Sequence, residues 1–144
     1  MVMKLTNCVD AAVMQVNTVQ RPDGLDACWF DTVATRYGCM IQGATEAVLT
    51  NLDVLGYLDD IPVCVGYELA DGITIDQFPV TAELQTAKPV LRTLKGWKCD
   101  LSHIRSFEEL PEAAQQYVQY IESSIGVPIK TVSVGPRRDQ VMTR

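Results

Sequence analysis

The stretch VLTNLDVLGYLDD, Val48 to Asp60, decides how the rest of the chain is read. With Ala47 before it, AVLT reads as a short buried strand. The apolar run then stops, at Asn51 and again at Asp53. A carboxylate placed where a buried strand runs out into a loop admits two readings. Asp53 caps a following helical turn, accepting a bond from an orphan backbone N–H. Alternatively, it is a recognition group presented at the strand's end.

Upstream, Phe30, Val33, Ala34, Tyr37, Met40, Ile41 and Ala44 recur at helical spacing and predict one wide apolar face, with Gly43 ending the helix. QRPDGLDA before it carries a Pro-Asp-Gly turn signal. The segment up to Gln20 is a loosely patterned apolar stretch without a clear cap. Downstream, IPVCVGYEL is rich in β-branched residues, and its early proline fits an edge strand or a strand's beginning. ADG turns the chain, and ITIDQF returns with Ile73, Ile75 and Gln77 in alternation, which predicts a β-hairpin. TAELQTAKPVLRTLKGW is ambiguous: Pro89 breaks any helix, and VLRTL is extended enough for a strand.

The best-defined element lies further on. Pro111 suits a helix first turn, where its missing N–H would be unpaired anyway. Ala114, Tyr117, Val118, Ile121 and Ile125 then form a helical stripe, stopped by Gly126 and Pro128. IKTVSV is a strand ended by Gly135-Pro136. Helices mixed with a hairpin predict an α+β class, or part of a mixed sheet.

Composition narrows the function. The chain has 144 residues, 47% of them apolar, enough for one domain with an ordinary core. Every long apolar run is interrupted within a few residues, so no membrane span is expected. The opening MVMKLTNCVDAAVMQV lacks the uninterrupted core of a signal peptide. Five irregularly spaced cysteines and a single histidine, His103, argue against a zinc site or a disulfide framework. They fit a reducing cytoplasm with buried thiols, Cys39 and Cys64 lying in apolar periodic segments. A net charge of −6 disfavours non-specific nucleic-acid binding. GPRRDQVMTR is locally basic: solvated surface by default, or a cluster able to neutralise one phosphate.

Two long segments carry a resemblance. CWFDTVATRYGCMIQGATEAVLTNLDVLGYLDDIPVCVGYELADG resembles the part of the adenylosuccinate synthetase family that holds a Gly-Trp-Phe-Asp motif and then Thr-Lys-Leu-Asp. KGWKCDLSHIRSFEELPEAAQQYVQYIESSIGVPIKTVSVGPRRDQVM is similar to that family's C-terminal end, with its Gly-Trp, its Leu-Pro-opened helix, Gly-Val-Pro and Ser-Val-Gly-Pro-x-Arg. The resemblance implies the C-terminal portion of a mixed α/β fold. Residues 28–144 form the family-like domain, and 1–27 a divergent N-terminal segment.

The family joins aspartate to IMP using GTP, through a 6-phosphoryl-IMP intermediate. By resemblance Asp53 pairs with guanine. A carboxylate can accept two roughly parallel N–H bonds from guanine N1 and the 2-amino group, and adenine offers no such pair. Ser133 and Gly135 match the second wall of the base pocket, where a missing Cβ lets backbone approach the purine. Asn51 replaces the family's lysine and loses the stem and charge that lie along base and sugar. In NTVQRPDGLDACW, Arg21 keeps a place in the substrate loop, but Asp23 and Asp26 stand where cations are needed and would repel a dicarboxylate.

No G-x-x-x-x-G-K or similar glycine cluster occurs, so phosphoryl transfer has no cradle. His103 does not fall on the family's catalytic position. Two classes of function follow. One is the guanine-recognising part of a ligase, inactive unless another chain supplies the missing portion and, with it, Mg²⁺. The other is a truncated, non-catalytic paralogue acting as an interaction or weak guanine-nucleotide-binding protein. The expected ligand is GTP, weakly held. The expected partner is a second copy or the complementing chain, with no nucleic acid or membrane, in the cytoplasm.

Overall fold

In the computed structural model, which describes residues 30–144 and the backbone of 2–6, 19–20 and 26–27, the chain builds two four-stranded sheets and a short ribbon. The first sheet takes β1 (Val2–Thr6), β5 (Glu46–Thr50), β9 (Ile129–Ser133) and β10 (Val141–Thr143) in that order. β1 and β9 flank β5 in parallel, and β10 closes the sheet antiparallel to β9. The second centres on β6 (Asp60–Glu68), with β8 (Lys88–Lys95) antiparallel along one edge. The other edge of β6 is shared by β4 (Phe30–Asp31), parallel, and β7 (Thr74–Ile75), antiparallel. β2 (Val19–Gln20) and β3 (Asp26–Ala27) form the ribbon. Helices α1 (Thr32–Gln42), α2 (Thr81–Leu84) and α3 (Glu112–Ile125) complete the mixed architecture.

Helix α3 follows its sequence pattern closely. Ala114, Tyr117, Val118, Ile121 and Ile125 are all buried. They join Ala47, Leu49, Ile129 and Val132 of the first sheet and Ile61 and Val63 of β6 in one core. Burying a side chain such as Ile121 contributes about 2–3 kcal/mol. Gly126, in the left-handed conformation, ends the helix and returns its N–H to the Glu122 carbonyl. Pro111 sits just ahead of the helix, as its cap, with extended ψ.

Helix α1 departs from its pattern. Asp31 caps it, Oδ1 accepting from the Ala34 N–H at 2.8 Å, and Gly43 ends it in the left-handed region. The helix buries Val33 and Cys39, while Tyr37, Met40 and Ile41 lie exposed. The helix packs against α3 and β6, and those contacts do not reach around to cover Tyr37, Met40 and Ile41. Strand β6 is central, because β8, β4 and β7 occupy both its edges, and Pro62 stands near its beginning, the other of the two places the sequence allowed it. Pro62 is tolerated there because β4 pairs only from Val63 onward. The hairpin forms, but its return strand is only two residues long. The ambiguous stretch divides into the single turn of α2 and the strand β8. Among the described residues no helix is long and apolar enough to cross a membrane.

Candidate functional site

Strands β5 and β9 run parallel with Leu49 opposite Val132, so their carboxyl ends emerge side by side. After Thr50 the chain passes through Asn51, which takes a left-handed φ of 61°. Asparagine tolerates that region better than most residues. Leu52 follows, fully buried, and donates its N–H to the Ser133 carbonyl at 3.1 Å. A 3-10 turn over Asp53–Leu55 then begins, closed by Gly56 N–H to Asp53 O at 3.0 Å. Three residues from two distant segments, Asn51, Asp53 and Ser133, are thereby gathered at one end of the sheet.

Asp53 is not the cap of that turn. Leu52 holds the cap position and makes no side-chain cap bond. The Asp53 Oδ1 atom is buried and has no hydrogen-bond partner. Native proteins rarely leave a buried polar atom unsatisfied, and an exception has a cause such as strain, a catalytic role, a water or an ion.

Ser133 is buried, and its hydroxyl donates to the Gly135 carbonyl at 2.8 Å. A Cβ at Gly135 would lie 2.3 Å from Gln140 Oε1. Gln140 is itself buried and held at both ends: Oε1 accepts from the Arg137 N–H, and Nε2 donates to the Ser102 carbonyl, each at 3.1 Å. An added Cβ at Gly135 would have to displace this held amide. Gln140 carries no pattern that would single it out in the sequence.

The basic C-terminal stretch is largely neutralised within the fold. Asp139 pairs with Arg105 at 2.9 Å and with Arg137 at 3.4 Å. Arg144 pairs with Glu122 at 2.6 Å and lies over the Phe107 ring. His103 is exposed. Arg21 and Asp23 lie outside the described residues, and Asp26 is described only as backbone in β3.

A second buried polar cluster sits at the start of α1. Asp31 Oδ2 accepts from the Tyr67 hydroxyl, and the Thr32 hydroxyl donates to the Cys64 carbonyl at 2.8 Å. Burial, with the Asp31 charge beside it, pushes the Cys64 thiol up to about 12 and raises the Tyr67 phenol as well. Neither group is a nucleophile at neutral pH. Cys39 is buried as expected, whereas Cys99 is exposed. Two grooves, of about 440 and 360 Å³, lie on the second sheet and against α1. Their linings include none of Asn51, Asp53, Ser133 or Gly135. Among the described residues no group of three or more His, Cys, Asp or Glu side chains could hold a metal ion.

A carboxylate carried past the end of one parallel strand, beside the end of its parallel neighbour, is how open α/β sheets present ligand-binding groups. The fold is that of a mixed α/β protein. The adenylosuccinate synthetase family model matches residues 17–142, and the chain belongs to that family. It is 49% identical over 115 residues to the adenylosuccinate synthetase of Acidothermus cellulolyticus, which covers 79% of this chain and 27% of the relative. It is 45% identical over 117 residues to that of Rhodococcus jostii, covering 81% and 27%. Among solved structures, fully ligated adenylosuccinate synthetase from Plasmodium falciparum superposes with a TM-score of 0.77 at 32% identity, covering 83% of this chain and 29% of that one. The chain thus spans little more than a quarter of the length of the relatives it matches.

Proposed function

We propose that this chain carries the guanine-recognising part of an adenylosuccinate synthetase. The observation that carries the reading is the buried, unpartnered Asp53 Oδ1 at the joined ends of β5 and β9. A guanine placed there would give the carboxylate the two donors it lacks, from N1 and the 2-amino group. Adenine would leave it unpaired and desolvated. Ser133 and Gly135 form the neighbouring wall, and Asn51 supplies no cation to the base or sugar. Arg21 is assigned to the substrate loop on the family resemblance alone.

The 144 residues contain no glycine-rich phosphate loop, so ligation of IMP and aspartate requires such a loop, and the Mg²⁺ it would hold, from outside these residues. By itself the chain binds GTP or GDP weakly, at millimolar rather than micromolar Kd, a loss of roughly 4 kcal/mol. Titration with GDP and ADP, followed by NMR, tests the reading. GDP should bind more tightly, and Asp53→Ala should remove the difference. Equal binding by the parental chain would sink it, as would turnover of IMP, aspartate and GTP by the isolated chain at an ordinary rate of about 1 s⁻¹ or more.

A second reading, a non-catalytic interaction protein in the cytoplasm, draws on the exposed Tyr37, Met40 and Ile41 of α1. Apolar side chains grouped on one helix face are a common mark of an interface.

A further inference from the structure

We infer that the loop over 96–99 is a positioning clamp for Asp53, acting through close backbone contacts at Gly56 and Gly96. The inference rests on the reading of Asp53 as the base-recognising carboxylate.

β8 ends at Lys95, opposite Asp60 at the start of β6, so the chain leaving β8 runs back along the turn that follows Asp53. There the two segments touch through their main chains. Gly96 donates its N–H to the Asp59 carbonyl at 2.7 Å, and a Cβ on Gly96 would stand 2.1 Å from the Leu58 carbonyl oxygen. From the other side, a Cβ on Gly56 would stand 2.6 Å from the Cys99 carbonyl oxygen and 3.1 Å from that of Asp53. Contacts of backbone on backbone cannot be relieved by turning a side chain, so any added Cβ must displace the turn.

Two further features mark these loops. Lys98 has a φ of 46°, and Asn51 is the other described non-glycine residue with positive φ; each loop holds one. Such conformations persist only where the surroundings over-determine them. The Lys98 ammonium is also held by the Asp59 carboxylate at 2.7 Å, a second tie between the segments. Finally, Asp53 Oδ1 and Trp97 Nε1, one on each loop, are both buried without a hydrogen-bond partner. The backbone bonds from Leu52 N–H to Ser133 O, 3.1 Å, and from Gly56 N–H to Asp53 O, 3.0 Å, hold the turn from the β9 side, and the 96–99 loop packs on its far side at Gly56. Two-point pairing with a base needs a fixed carboxylate plane, and the clamp supplies it.

The test uses the whole chain, with amide hydrogen exchange and NMR titration by GDP and ADP. In Gly96→Ala, exchange at the Gly56 and Leu58 amides should quicken by about tenfold or more, with Leu49 and Val132 unchanged. The preference for GDP over ADP should fall toward one while ADP affinity holds. Lys98→Ala removes only the exposed ion pair and keeps the fold should Gly96→Ala not; it should give the same two changes at roughly two- to fivefold. Unchanged exchange at Gly56 and Leu58 overturns the clamp. Faster exchange with the GDP preference intact overturns its positioning role. If the parental chain binds GDP and ADP alike and Asp53→Asn alters nothing, the base-reading assignment fails instead, and exchange alone decides whether the loop holds the turn.

Discussion

Leu52 and Ser133, 81 positions apart in the chain, are joined by one backbone hydrogen bond of 3.1 Å. That bond moors the turn carrying Asp53 to the end of β9, so neither strand end forms the site without the other. A single buried residue, Leu52, couples the core of the first sheet to a carboxylate oxygen that the core leaves unsatisfied.

Asp53→Asn should therefore separate stability from recognition. Replacing a partly buried, unpaired carboxylate by a neutral amide of the same shape is expected to raise stability by about 0.5–1.5 kcal/mol. The same change should erase any guanine preference, the usual exchange of function for stability. Chemical unfolding of both proteins checks the first part. A loss of stability beyond about 1 kcal/mol would mean that the carboxylate serves the fold.

Gly135→Ala should destabilise the chain through Gln140. The added Cβ must push the amide from its place, 2.3 Å away, and break its bonds to Arg137 N–H and Ser102 O. The expected loss is about 1–3 kcal/mol. In Gln140→Ala the obstacle is gone, so Gly135→Ala on that background should lose much less. A double-mutant cycle showing simple additivity would refute the link between the two residues.

Stability should fall on the alkaline side. Cys39, Cys64, Tyr67 and Tyr117 all titrate above their ordinary values of 9.0 for cysteine and 10.0 for tyrosine, desolvation being the leading cause in each. Raised folded-state values favour the neutral forms, so this contribution is complete below about pH 9. It is lost as pH rises past the unfolded values, where only the unfolded chain ionises. Urea midpoints should be level from pH 7 to 8.5 and drop by pH 10. A midpoint that climbs over that interval would contradict the sign.

Self-association is the fourth expectation. Tyr37 is 44%, Met40 67% and Ile41 65% exposed on one helix. That helix face is the candidate surface for the association. Light scattering at micromolar concentration should report a dimer, and the double variant Met40→Glu, Ile41→Lys a monomer. A single parental species near 15.9 kDa with little binding of a hydrophobic dye would argue against it.

Local pattern was enough for α3, for the glycine end of α1, for the strands at β5 and β9, and for the hairpin, but not for the start of α1: Phe30, counted in the helical stripe, pairs in β4 ahead of it. In each case burial on one face repeats at the period of the backbone, or a glycine answers a left-handed turn, and both can be read within a dozen residues. The α+β class and the family resemblance followed from the same segments. The tertiary structure alone decided which faces were used. It placed β6 in the middle of its sheet, left Tyr37, Met40 and Ile41 outside, and added β10, too short at three residues to show a period. It also denied Asp53 a capping role and filled the space beside Gly135 with Gln140. Those outcomes depend on pairings between residues tens of positions apart, and spacing along the chain carries no record of which distant strand or side chain will arrive.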